Sequence, residues 1–250
     1  KKVMQWFGVF SFASFVSVSL VSAPLALADQ QIPPEQRKSH LIWKGSIAQS
    51  TVYLMGSIHF GLPSMYPLPK RIVAAFERAD ALMGQEEIRK TNQAATMALV
   101  GKMGFYHDGS TLQDHLSVSQ YQRFGDAMQQ FGLPIEAMLP QKPWLAVLTL
   151  SAAAVKAQGF SEQFGVDQYF LNRASNKEVI EIESIGQQIT LMDGFGEQEQ
   201  QWMLNQSLDE LDRADIELKA MVLNWQTGNE AAFIEQTRQE FPKGEISKRV

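Results

Sequence analysis

Two short apolar runs on either side of an amphipathic stretch constrain the fold most strongly. Residues 51–58 are rich in residue types that favour strands, and residues 81–84 form a short apolar run of strand length. Between them, apolar residues recur at helical spacing from Ile72 to Ala79, after a connection that contains three prolines. A strand, a helix and a strand within about forty residues predict a βαβ unit with parallel pairing and a right-handed crossover.

The rest of the pattern extends this unit into a helix-rich α/β protein. Residues 41–44 and 51–58 predict a hairpin joined at Ala48-Gln49-Ser50, and residues 178–183 alternate as a third strand does. Helices are predicted after the capping box of Ser117 and Gln120, from Pro143, and over residues 166–174. We therefore expect a central mixed β-sheet flanked by helices, with a long helical hairpin in the C-terminal half. Its first helix is predicted by apolar residues, mostly leucines, that recur every three or four positions from Leu204 to Trp225, and the hairpin turns at Gly228.

The first 28 residues have the composition of an export signal. Lys1 and Lys2 precede a long apolar run, and Ala26-Leu27-Ala28 is typical of a cleavage site. We expect residues 1–28 to be a signal peptide outside the fold, residues 29–40 a leader and residues 41–250 a single domain. The prediction is a periplasmic or secreted protein that meets the membrane only through its signal; an uncleaved membrane anchor is the alternative.

Charge and cysteine content narrow the classes of function. The formal charge is −5, and removal of the two signal lysines leaves −7 with no basic patch, which argues against nucleic-acid binding. The chain has no cysteine, so disulfides, thiol nucleophiles and thiolate metal sites are excluded. Any metal must bind to His, Asp or Glu.

A histidine stands at the end of the first parallel strand, in Gly56-Ser57-Ile58-His59. Catalytic and ligand-binding groups gather at the carboxyl ends of strands in open α/β sheets, although a histidine that only caps a turn is equally consistent with this position. Glu86 and Glu183 follow the other two strands, where solvent exposure is the competing interpretation.

Other polar residues receive weaker interpretations. Asp167 either caps the following helix, which its spacing favours, or orients His59 from a second shell. His40, His115 and the turn at residues 106–109 are assigned no role. The acidic residues between positions 209 and 217 are expected on a solvated helix face.

The chain resembles the TraB/GumN family, relatives of the TIKI metalloproteases. The resemblance is carried by successive blocks between Leu41 and the C-terminus: Leu41-Ile42-Trp43-Lys44, Val52-Tyr53-Leu54-Met55-Gly56-Ser57-Ile58-His59, Tyr66-Pro67-Leu68-Pro69, Ala79-Asp80-Ala81-Leu82, Lys142-Pro143-Trp144, Gly165-Val166-Asp167, Val179-Ile180-Glu181-Ile182-Glu183 and Gln187. It implies a mixed sheet flanked by helices and a site with two G-x-x-H motifs and a glutamate, which in TIKI-type members supports metal-dependent peptide hydrolysis.

The resemblance also assigns positions. His59 matches the first family histidine, while Glu183 and Asp167 fall on its later acidic blocks. The family glutamate falls on Gln85, with Glu86 one residue out of register, which a bulge at Gly84 would correct. The second G-x-x-H is not present before Val250, and we expect the sequence to be truncated there.

Three functions are compatible with these residues. The favoured one is a metal-dependent hydrolase of peptide bonds, in which His59 and Glu86 hold a divalent ion such as Mn, Co or Zn. Glu183 joins them as a catalytic residue, and Gly56, Gln85 and Asp167 support the site. The alternatives are a non-catalytic peptide-binding or sequestering protein, like the pheromone-shutdown members of the family, and a metal-free esterase-like hydrolase with His59 as base.

Overall fold

The structure is a computed structural model that describes residues 3–7, 41–47, 50–84, 93–182 and 184–237. Five strands form one sheet: β1 (Val3–Phe7), β2 (Ile42–Ile47), β3 (Ser50–Gly56), β4 (Ala81–Gly84) and β5 (Glu178–Glu181). Their order across the sheet is β2-β3-β1-β4-β5. Only β2 runs antiparallel to its neighbour, and the other pairings are parallel. The predicted mixed sheet of an α/β protein is confirmed.

The predicted β2–β3 hairpin is confirmed, with Ile42 opposite Met55; Ser50, predicted in its connection, instead begins β3 and pairs with Ile47. β3 and β4 run in the same direction, as a βαβ unit requires, but they are not neighbours. β1 lies between them and pairs with both.

The position of β1 differs from the expectation that residues 1–28 lie outside the fold. Val3–Phe7 is a short apolar extended segment, and it can satisfy the backbone hydrogen-bonding groups that β3 and β4 turn toward each other. Cleavage after Ala28 stays a prediction, and it would remove this segment from the sheet.

Nine helices are found in the described part of the chain: α1 (Lys70–Arg78), α2 (Gln93–Met103), α3 (Val118–Gln130), α4 (Pro143–Ala157), α5 (Val166–Leu171), α6 (Ile185–Asp193), α7 (Glu197–Glu210), α8 (Ala214–Thr227) and α9 (Glu230–Thr237). The predicted start signals of α3 and α4 are confirmed. Ser117 and Gln120 form a capping box, and Pro143 is the first residue of α4. No helix in the described ranges is long and apolar enough to cross a lipid bilayer.

Two clusters of buried side chains stabilise the fold. The sheet core joins β2, β3 and α1 to Val166 and Phe170 of α5. The helical core joins side chains of α3, α4, α6 and α7. Helix α4 contributes to both, with Trp144 and Leu150 in the helical core and Val155 in the sheet core. This explains why the sequence of α4 is apolar around nearly its whole circumference.

The long C-terminal helix predicted by the leucine spacing is interrupted. A 3-10 turn at Leu211–Arg213 separates α7 from α8. Leu204 of α7 packs in the helical core, whereas Leu218 and Trp225 of α8 pack in the sheet core. The turn thus lies where the chain passes from one core to the other. The hairpin that turns at Gly228 forms between α8 and α9.

Candidate functional site

The parallel strands place their carboxyl ends along one edge of the sheet. β3 ends at Gly56, three residues before His59. β4 and β5 are adjacent and end in register, with Gly84 opposite Glu181. Ligand-binding groups of open α/β sheets lie outside this edge, and the connections that follow β3, β4 and β5 all leave the sheet there.

His59 is paired with Asp167 across this edge. A hydrogen bond and ion pair joins its Nδ1 atom to the Oδ2 atom of Asp167, so the imidazole N–H donates to the carboxylate. The His59 side chain is 33% exposed and the Asp167 side chain only 10%. A carboxylate on one ring nitrogen fixes the tautomer and orientation of a histidine, and such a pair supports both metal ligands and general bases.

The expectation that Asp167 caps its helix is wrong. The N-cap residue of α5 is Gly165, which makes no side-chain cap bond, and Asp167 is the second residue of the helix. The competing interpretation, a carboxylate hydrogen-bonded to the site histidine, describes its position.

Backbone hydrogen bonds join the His59 segment to the Asp167 segment on both sides of the pair. Before the histidine, the Val166 N–H donates to the Ile58 carbonyl at 2.8 Å. After it, Gly61 and Ser161 exchange two N–H···O bonds of 3.0 Å each as an antiparallel bridge. The two segments are therefore in fixed register, although the paired residues are 108 positions apart in sequence.

This register requires two glycines. A Cβ atom on Gly165 would overlap the His59 carbonyl oxygen and lie 2.7 Å from Asp167 Oδ1, and one on Gly61 would overlap the Phe164 carbonyl oxygen. Neither Gly61 nor Gly165 is among the site residues predicted from the sequence. The signal that could have identified Gly165 is its place directly before Val166-Asp167, where close backbone approach admits no side chain.

Gly56 has a packing role. It is the last residue of β3, and an added Cβ would lie 3.2 Å from the Leu41 Cβ. Its carbonyl accepts the indole N–H of Trp225 at 2.9 Å. Gly56 thus lets Leu41 pack closely at the strand end.

Tyr66 packs against α5, the helix that carries Asp167. Its ring centroid is 5.4 Å from that of Tyr169. Burial, followed by the neighbouring Tyr169 and Asp167, raises the pKa of Tyr66 to about 12. The phenol therefore remains protonated at physiological pH and acts as a hydrogen-bond donor.

Three of the predicted site residues, Gln85, Glu86 and Glu183, lie outside the described residues. Their convergence with His59 stays a prediction. Glu86 and Glu183 follow β4 and β5, and those strands are adjacent and parallel.

The donor atoms of the pair are of the kind that a divalent metal ion binds. The second carboxylate oxygen of Asp167, Oδ1, is buried and makes no hydrogen bond to any residue that the structure describes. An orphaned buried carboxylate oxygen beside an oriented imidazole fits an ion with nitrogen and oxygen ligands, such as Zn or Mn. Within the described ranges no cluster of three or more His, Asp or Glu side chains forms a complete ligand set.

His115 has clear partners in the structure, contrary to the sequence interpretation that gave it none. Its Nδ1 atom lies 2.9 Å from Glu197 Oε1, and its Nε2 atom lies 3.0 Å from Ser110 Oγ. The Ser110 hydroxyl donates to Asp108 at 2.6 Å. Because its proton is directed to a carboxylate, Ser110 is not activated as a nucleophile by His115.

The acidic stretch of α7 and α8 is also not uniformly solvated. Glu210 is only 4% exposed. Burial, then the nearby Glu217, raises its pKa to about 8, with Arg213 opposing the shift. The pKa of Glu217 is also raised by burial. The expectation of a solvated face is wrong for Glu210 because this side chain lies where α7 ends against the protein interior.

These observations define an α/β protein with an aspartate-supported histidine at the carboxyl edge of its parallel strands. The sequence profile of the TraB/PrgY/gumN family matches residues 41–247, and the chain belongs to this family.

Three similar proteins are named as uncharacterized proteins. The uncharacterized protein YbaP of Escherichia coli (strain K12) is 26% identical over 142 residues, 56% of this chain and 51% of YbaP, and YbaP of Shigella flexneri gives the same values. An uncharacterized protein of Treponema pallidum (strain Nichols) is 20% identical over 185 residues, 73% of this chain and 54% of that protein. The chain spans about half the length of these relatives. No solved structure matches it significantly.

Proposed function

We propose that this protein is a metal-dependent hydrolase of the periplasm or the secreted space and that it acts on peptide bonds. The observation that carries the proposal is the His59–Asp167 pair at the carboxyl edge of the parallel strands. Family membership adds support. Because functions vary widely on one fold, the His59–Asp167 pair is the stronger support.

Asp167 performs two tasks in this proposal. Its carboxylate holds the proton on Nδ1 of His59, which makes the other ring nitrogen the basic one. Its negative charge also makes the imidazole more electron-rich, which would strengthen His59 as a metal ligand. Because Val166 and Gly61 fix the two segments in register, the imidazole does not need to be oriented when a substrate arrives.

His59 and Glu86 would hold the metal ion, and the carboxylates of Asp167 and Glu183 would support the site. A divalent ion bound there supplies an activated water and polarises the scissile carbonyl. Gln85 can offer the metal only a carbonyl oxygen and cannot act as a base, so proton transfer would fall to the carboxylates.

The test is peptide hydrolysis by the native full-length protein and its Asp167→Asn variant. An amide in place of the carboxylate can present the wrong hydrogen-bonding group to His59, and we expect turnover to fall by about 10–100-fold. Asp193→Asn is a matched control, because Asp193 binds Lys142 and Trp144 in another part of the fold. Cleavage at the unmodified rate by Asp167→Asn, or undiminished cleavage in chelator, would contradict the proposal.

A second candidate function is non-catalytic binding or sequestration of an extracellular peptide. It is favoured by Gln85, which stands where the family has its glutamate and which cannot act as a base. This function predicts saturable peptide binding without turnover by the full-length protein. A cleavage product seen by mass spectrometry would exclude it.

A further inference from the structure

Tyr66 lies in the same connection as His59, directly after a 3-10 turn at Pro63–Met65. Its hydroxyl lies 3.0 Å from the Phe164 carbonyl oxygen and 3.2 Å from the Gly165 carbonyl oxygen. These carbonyls belong to the two residues that precede helix α5, which carries Asp167. One phenol thus links the far end of the His59 connection to the start of the Asp167 helix.

Two aromatic neighbours hold the Tyr66 ring and so set the direction of its hydroxyl. The Tyr66 ring contacts Phe164 at a centroid distance of 6.2 Å and Tyr169 at 5.4 Å. Phe164 directly precedes Gly165, and Tyr169 is two residues beyond Asp167. The aromatic contacts hold the ring against α5, while the hydroxyl holds the peptide units that lead into it.

The position of Asp167 depends on those peptide units. Gly165 approaches the backbone of His59 so closely that no Cβ fits between them. A displacement of the Phe164–Gly165 peptides would therefore move the first turn of α5 relative to the imidazole. Hydrogen bonding between His59 and Asp167 is steep in distance and angle, so a small displacement weakens it.

We propose that Tyr66 is a positioning residue whose hydroxyl fixes the start of α5 and so holds the Asp167 carboxylate against the His59 ring. The positioning role is supported by the hydrogen bonds from Tyr66 to the Phe164 and Gly165 carbonyls. Its catalytic consequence rests on the proposed hydrolase function.

The test is the Tyr66→Phe variant of the full chain, which removes only the hydroxyl and keeps the ring contacts. The readout is the low-field proton resonance of His59 Nδ1–H, identified by its loss in Asp167→Asn. We expect this resonance to shift upfield or disappear in Tyr66→Phe. Tyr121→Phe, on helix α3 of the helical core, is the matched control and should leave the resonance unchanged.

Where exchange with water hides the proton in the unmodified chain, the ring nitrogen shifts of His59 report the same tautomer. An unchanged His59 spectrum in Tyr66→Phe would overturn the proposal. Loss of the signal in both tyrosine variants would also overturn it, because the effect would not depend on the Tyr66 hydroxyl.

The hydrolase activity provides a separate readout. If the full-length protein cleaves peptides, we expect kcat to fall about 10-fold in Tyr66→Phe, as for loss of an outer hydrogen-bond partner, with KM nearly unchanged. A changed His59 spectrum in a protein that cleaves nothing would support the positioning role and refute the proposed function. An unchanged His59 spectrum in a protein that cleaves peptides would refute the positioning role and support the proposed function.

Discussion

At the scale of single residues, the candidate site depends on backbone contact as much as on side chains. The His59–Asp167 hydrogen bond is possible because Gly165 brings the start of α5 against the histidine backbone. Gly61 does the same on the other side, against Phe164. The pair is thus set into a junction that larger residues would force apart.

The Gly165→Ala variant tests this dependence. The added methyl overlaps the His59 carbonyl oxygen and crowds Asp167, so one segment must move. We expect the free energy of unfolding to fall by roughly 1–3 kcal/mol, as for overpacked interiors. Urea denaturation measures it.

Gly101→Ala is the matched control for that variant. Gly101 lies in α2, and an added Cβ meets nothing within 4 Å. Because alanine favours helix over glycine, this change should stabilise the protein by about 0.5–1 kcal/mol. Equal effects of the two substitutions would mean that the junction tolerates a side chain at Gly165.

The sequence alone named both members of the pair, but the pairing was the less favoured of two interpretations of Asp167. His59 follows an apolar run of strand type, and that local pattern was sufficient to place it at a strand end. Asp167 is 108 positions away, and its local spacing favours a helix cap. A contact between distant segments leaves no local signal, so spacing could not decide between the two roles.

At the scale of elements, the same limit appears in the C-terminal helices. The leucine spacing from Leu204 to Trp225 predicts one continuous helix, and the structure breaks it at Leu211–Arg213. The spacing predicts that both halves bury an apolar face. It does not predict that the two faces pack into different cores. The hairpin at Gly228 was predictable because a left-handed helix end has a residue preference.

Gly228→Ala tests the hairpin. Gly228 has φ +69° at the end of α8, a conformation that costs an L residue roughly 1–2 kcal/mol. We expect the thermal midpoint to fall accordingly in calorimetry. Gly45→Ala in β2 is the control, since nothing lies within 4 Å of its added Cβ. A midpoint equal to that of the unmodified protein would show that α9 does not depend on this turn geometry.

At the scale of the whole molecule, stability should decrease toward alkaline pH because of one buried acid. The pKa of Glu210 is about 8, raised mainly by burial. The folded state therefore holds a proton that the unfolded state has released above pH 4.5. The stabilisation of the folded state by this proton is complete below pH 4.5 and is lost as the pH rises to about 8.

The Glu210→Gln variant should weaken this dependence. For the unmodified protein, the free energy of unfolding should fall by up to about 1.4 kcal/mol per pH unit across that window. In Glu210→Gln the slope should be smaller, with a gain in stability at pH 8 and little change at pH 4.5. Asp212→Asn, an exposed neighbour, is the control. Identical slopes in all three proteins would contradict a buried neutral Glu210.

The central claim, that His59 is part of a metal-dependent active site, is tested most directly by the divalent metal content of the purified full-length protein. We predict that metal measured by mass spectrometry is lost in His59→Ala, together with peptide cleavage. His107→Ala is the matched control, because His107 contacts only the carbonyls of Gly101 and Lys102 at the end of α2 among its described hydrogen bonds; it should retain both. Retention of metal and cleavage by His59→Ala would contradict the claim.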